Sequence, residues 1–109
     1  MKLYGLKNCD TCRKARKSIE QSGHEVEFVD VRDTPLDTET LDVFLSRFSE
    51  KVMLNRRSAT WRSLSGAERA GDPVKLLQKY PSLMKRPVID TGYEQHIGWT
   101  PEVQAVFGK

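Results

Sequence analysis

No stretch of this chain stays apolar for the roughly 18 residues that a membrane-spanning helix requires, so a bilayer span is excluded. Cysteine is scarce: two residues are too few for a disulfide-stapled scaffold, and their close spacing suggests chemistry rather than a clamp. No Gly-rich phosphate loop is present, which leaves nucleotide chemistry without support. Neither sign of charge dominates, since 18 Lys and Arg stand against 15 Asp and Glu for a net +3. That excess is too mild for direct nucleic-acid binding. The segment Met1 to Asn8 lacks an apolar signal core and a small-residue cleavage site, so a cytoplasmic, non-secreted protein is expected. What remains is an ordinary globular balance, 38% hydrophobic and 30% charged, over 109 residues. One domain, 1–109, is expected.

The pattern along the chain predicts an α/β fold. Lys2 to Leu6 reads as a strand, and Thr11 to Ser22 as a helix with Cys12, Ala15 and Ile19 on one stripe and Gly23 as its stop. Glu25 to Val31 alternates polar with apolar residues as a half-buried strand does. Strand, helix and strand in about thirty residues make a βαβ unit with parallel strands. Leu41, Phe44, Leu45 and Phe48 then mark an amphipathic helix capped by Asp37 or Thr38. Val52 to Ala70 is less regular, with short helices expected over Thr60 to Leu64 and Ala67 to Ala70. Asp72-Pro73 opens a helix that Pro81 ends. Pro87 to Asp90 and Gln95 to Ile97 form a hairpin, and Thr100-Pro101-Glu102 starts a last helix through Phe107. The expectation is a small four-stranded mixed sheet with flanking helices.

Cys9-Asp10-Thr11-Cys12 lies where the first strand hands over to the first helix. Unpaired backbone N–H groups and the positive end of the helix dipole gather there and stabilise a thiolate at Cys9. Arg13 and Arg16 are expected to add to that field. The thiolate is the nucleophilic form, so Cys9 is the expected catalytic sulfur. Cys12, one turn on, reads either as a resolving thiol or as a small core residue, with an external thiol resolving in the second case. Zinc needs four ligands, and His24 and His96 complete no compact pattern, so no metal is expected. A cysteine phosphatase loop would place arginine at position 15, where the chain has Ala15. Thr11 either donates to the Cys9 sulfur or satisfies the helix start. Basic residues cluster at Arg56, Arg57 and Arg62 and again at Lys85-Arg86; a small anionic ligand suits them better than a polyanion. Trp61, Trp99 and His96 are expected to pack, and His24 to lie on the surface.

Three motifs in order, Lys7-Asn8-Cys9-Asp10-Thr11-Cys12-Arg13-Lys14-Ala15-Arg16, then Leu54-Asn55-Arg56-Arg57 with Thr60-Trp61, then Lys85-Arg86-Pro87-Val88-Ile89, resemble the arsenate reductase (ArsC)/Spx family. The likeness is nearest to its YffB-type thiol reductase branch. It implies a thioredoxin-like fold with a helical insertion before the C-terminal hairpin. It also implies Cys9 as nucleophile, Arg86 as an anion-binding arginine, and Pro87 as a cis proline facing the cysteine. No bound cofactor is implied; glutathione is the expected co-substrate, or glutaredoxin the partner, acting on a small thiol or oxyanion. Arg56, Arg57 and Arg86 would hold glutathione carboxylates by forked hydrogen bonds, although Arg56 and Arg57 also read as solvated surface. The arsenate reductases resemble one another in three oxyanion arginines, and here two of those positions are Asn55 and Gly98. Each missing contact removes about 1.5–3 kcal/mol from oxyanion binding. Glutaredoxin-coupled arsenate reduction is thus an alternative, as is an Spx-like redox regulator binding RNA polymerase.

Overall fold

The computed structural model describes residues 1–107. Four short strands form one sheet: β1 (Lys2–Gly5), β2 (Glu27–Asp30), β3 (Val88–Asp90) and β4 (Gln95–Ile97). Their order is β2-β1-β3-β4, with β1 and β2 parallel and the other pairs antiparallel. Leu3 faces Phe28 on one side and Ile89 on the other. The parallel pair is bridged by α1 (Asp10–Gln21), as a βαβ crossover requires. The fold is thioredoxin-like, with a mixed four-stranded sheet and flanking helices.

The sequence spacing of α1 decides what it buries. Cys12, Ala15 and Ile19 are wholly inaccessible and pack with Leu3, Ile89 and Phe107 in one apolar cluster. Fully burying an aliphatic side chain such as Leu3, Ile19 or Ile89 contributes about 1.5–3 kcal/mol. Gly23, at φ +96°, turns the chain out of the helix in a conformation that favours glycine. The strands are shorter than the alternation suggests: β1 stops at Gly5, and β2 begins at Glu27 rather than Glu25.

Two compact units divide the chain. The first comprises residues 1–34 and the chain from Arg86 onward, and carries the sheet, α1 and the last helix, α7 (Pro101–Val106). The second, Pro35–Lys85, is the helical insertion. It contains α2 (Thr38–Phe48), α3 (Glu50–Met53), α4 (Ala59–Ser63), α5 (Gly66–Arg69), α6 (Pro73–Lys79) and a 3-10 turn over Pro81–Leu83. Asp37 is the N-cap of α2, its carboxylate accepting from the Thr40 N–H at 2.8 Å. Leu41 and Phe44 are buried, whereas Leu45 and Phe48 are half-buried. The spacing missed α3, a single turn set off from α2 by Ser49 at φ +75°. Ser65 and Glu68 make a reciprocal capping box for α5, and Glu68 also accepts from the Tyr80 hydroxyl at 2.8 Å.

Candidate functional site

The turn between β1 and α1 is held on several sides. The Cys9 N–H reaches the Leu6 carbonyl at 3.1 Å. Asp30, at the end of β2, accepts the Lys7 N–H at 2.8 Å with one oxygen, and with the other the N–H groups of Arg32 (2.8 Å) and Asp33 (3.2 Å). Burial opposes ionisation of this carboxyl, but the three donors and the nearby Lys7 charge outweigh it and hold the group below the usual carboxylate range. Lys7 in turn pairs with Asp33 at 2.8 Å. The result is a fixed loop that delivers Cys9 to the N-cap position of α1.

Cys9 is half-buried and Cys12 fully buried, and both are free thiols. The Cys9 sulfur makes no conventional side-chain cap bond. Instead the thiol and backbone N–H of Cys12 and the guanidinium of Arg86 favour its charged form. Burial works against ionisation here too, but those partners prevail and keep the Cys9 thiol below its ordinary value. Burial pushes Cys12 the other way, to about 12, and its role as donor to Cys9 adds to the rise. The dithiol is therefore asymmetric: one sulfur prepared to ionise, the other held as a proton donor.

Gly5 makes this packing possible. A Cβ at that position would sit 2.5 Å from the Cys12 sulfur and 3.1 Å from its Cβ. Only a glycine lets β1 approach the thiol so closely. The sequence reading missed both Gly5 and Asp30. A glycine inside a strand pattern was an available signal for the first; an acid at a strand end gave none for the second.

Arg86 and Pro87 join the two cysteines in the first unit. The Arg86–Pro87 peptide is cis, Pro87 is fully buried, and its carbonyl accepts the Gly98 N–H at 2.8 Å. The Nε atom of Arg86 is buried as well. Arg13 and Arg16, expected to reinforce the field at Cys9, are directed elsewhere. Arg13 pairs with Asp10 and donates to the Lys7 carbonyl at 3.2 Å. Arg16 pairs with Glu20 at 3.4 Å and lies over the Phe28 ring. The physical reason is local, because carboxylates one helical turn away neutralise both. Thr11 is exposed and is not among the groups that shift Cys9. Arg56 and Arg57 are exposed in the second unit, between α3 and α4. His24 is exposed yet meets the Phe107 ring edge-on, and His96 and Trp99 pack on the same ring.

A four-stranded α/β sheet with a C-x-x-C dithiol at the start of its first helix and a cis proline before β3 defines a thioredoxin-like protein. Within that class, the chain belongs to the ArsC family, whose model matches residues 4–107. It is 34% identical over 110 residues to an uncharacterised protein of Haemophilus influenzae, covering 96% of each chain. It is 28% identical over 107 residues to the global transcriptional regulator Spx of Streptococcus pneumoniae, covering 92% of this chain and 79% of that protein. Among solved structures, the protein named YffB superposes with a TM-score of 0.89 at 31% identity, covering 97% of this chain and 96% of that one. An arsenate reductase-related protein of Brucella melitensis gives 0.75 at 36% identity, with 99% and 94% covered. Among the described residues, no helix is long and apolar enough to cross a membrane.

Proposed function

We propose that this protein is a cytoplasmic thiol–disulfide oxidoreductase that uses glutathione as co-substrate and Cys9 as nucleophile. The observation that carries the reading is the Cys9 thiol, half-accessible at a helix N-cap and held below its ordinary pKa by Cys12 and Arg86. The Cys9 thiolate attacks the glutathione sulfur of a mixed disulfide, and the substrate thiolate is the leaving group. The Cys9 S–S bond forms as the substrate bond breaks, and the departing thiolate takes a proton from solvent. A glutathione thiolate then attacks the mixed disulfide on Cys9, leaving oxidised glutathione and the Cys9 thiolate. Over the cycle one free glutathione thiol is consumed, the substrate thiol is released, and the mixed disulfide becomes oxidised glutathione, so bonds and electrons balance. Complete burial and a pKa near 12 make Cys12 a poor attacking group, which favours release by glutathione over release by Cys12. Cys12 serves instead as hydrogen-bond donor to the thiolate. Arg86 is the anion-binding residue beside the sulfur, in the same unit as Cys9.

Iodoacetamide alkylation of Cys9 against pH, with and without glutathione, tests this reading. The expected midpoint lies below about 8.5, the ordinary thiol value, and moves when glutathione is added. Cys9→Ser abolishes reduction of a glutathionylated peptide, whereas Cys12→Ser retains turnover. A Cys9 midpoint at or above the ordinary value defeats the proposal. The similarity to Spx supports a second reading, a redox-sensing regulator that binds RNA polymerase. Capture of the polymerase α-subunit by the oxidised chain, absent with the reduced chain, separates it from a plain reductase. Glutaredoxin-coupled turnover of arsenate that depends on Cys9 would restore the arsenate reductase reading despite Asn55 and Gly98.

A further inference from the structure

The helical unit carries a groove of about 600 Å³ lined by Lys51, Arg56, Arg57 and Lys85 together with Val52, Leu54 and Asn55. A short antiparallel bridge builds it, pairing Leu54 with Met84. The Asn55 N–H reaches the Leu83 carbonyl at 2.7 Å, and the Lys85 N–H reaches the Met53 carbonyl at 2.8 Å. Lys85, some thirty residues on in sequence, is thereby fixed opposite the 51–57 segment. The Asn55 side chain accepts the Arg57 N–H at 3.2 Å, which shapes the loop bearing both arginines.

We infer that this groove is a binding site for an acidic peptide segment that also carries an aliphatic side chain. Four cations share one concavity, and among the described residues that line it none is acidic. Such a concavity focuses a positive field and attracts anions. Arg56 already has a carboxylate neighbour, Glu50 at 3.7 Å, and lies over the Trp61 ring. Lys51, Arg57 and Lys85 are the cations that meet the ligand. An inorganic oxyanion occupies only a few water volumes of about 30 Å³ each, so it leaves most of this space unfilled. Val52, two-fifths exposed, offers an apolar surface that a carboxylate alone does not cover. A nucleic acid fits less well, because no aromatic ring in the lining is available for base stacking. The neighbouring Trp61 is occupied by the guanidinium groups of Arg56 and Arg69, each 5.5 Å from its ring.

The test is fluorescence anisotropy of a fluorescein-labelled Asp-Glu-Leu-Glu-Glu-Leu peptide titrated with the full chain bearing Cys9→Ser. The expected result is saturable binding that weakens about tenfold or more when salt rises from about 0.05 to 0.5 M. The pair Lys51→Glu with Lys85→Glu weakens it comparably, and replacing both peptide leucines by serine weakens it independently of salt. Lys85→Gln alone, a milder change at an exposed position, gives a smaller loss in the same direction and covers the case in which the double variant fails to fold. Absence of binding, equal binding by the charge-reversed chain, or tighter binding of an oligothymidylate of the same charge overturns the inference. The assay requires no thiol chemistry, so its failure leaves the Cys9 reading standing, and failure of the alkylation test leaves the groove untouched.

Discussion

Replacing Gly5 by alanine tests the architecture of the dithiol most directly. The new Cβ would lie 2.5 Å from the Cys12 sulfur, whereas non-bonded heavy atoms settle near about 3.5–4.0 Å. One partner must therefore move by about 1 Å or more. Neither has room, because the sulfur is packed among Leu3, Ala15, Ile19 and Ile89, all fully buried. Overpacking of this kind costs about 1–3 kcal/mol. Loss of glycine's freedom in the unfolded chain offsets about 0.4–1 kcal/mol of that. The expected net loss is about 1–2 kcal/mol, read from the midpoint of urea unfolding, with Tm falling by about 4–8 °C per kcal/mol. A displaced Cys12 also donates less well to Cys9, so the Cys9 thiolate, followed by its absorbance near 240 nm, titrates at a higher pH. The control is the same substitution in a Cys12→Ala background. There the sulfur is gone, and the cost of Gly5→Ala should shrink by about 1 kcal/mol or more, a coupling within the range for residues in contact. Additive effects, or an unchanged Cys9 titration in a stably folded Gly5→Ala chain, would refute the reasoning.

Three further outcomes are expected. Arg86→Leu removes the cation beside Cys9 and raises its titration midpoint, slowing alkylation at neutral pH by about 3- to 10-fold, while Arg86→Lys recovers part of the rate. Asp30→Asn loses the charge that collects three solvent-exposed N–H groups, costing about 1 kcal/mol or less at pH 7. Because folding lowers the Asp30 pKa, its contribution is complete above the ordinary carboxylate value of about 3.9 and is lost as pH falls through the depressed folded value. Urea unfolding should accordingly show the gap between wild type and variant narrowing below about pH 4. Asp37→Ala deletes the α2 cap and lowers the midpoint of urea unfolding at pH 7, with no effect on the Cys9 titration.

Local chemistry by itself determined much of this protein. The spacing of Cys12, Ala15 and Ile19 on α1 specifies which face of the helix is buried, because a 3.6-residue period leaves little choice. Asp37, Asp72-Pro73 and Thr100-Pro101 declare three helix starts through cap chemistry that acts within a few residues. The position of Cys9 before α1 follows from the same local rules. What those rules do not contain is which distant groups meet the sulfur. Arg13 and Arg16 are near in sequence, yet each is satisfied by a carboxylate one turn away, whereas Arg86, far along the chain, arrives beside Cys9 because β3 pairs with β1. Gly5 and Asp30 likewise acquire their roles only once α1 lies against β1 and the parallel strands align. The tertiary structure also separated the two thiols, since burial and hydrogen-bond direction, not the C-x-x-C spacing, lower the pKa of one and raise that of the other.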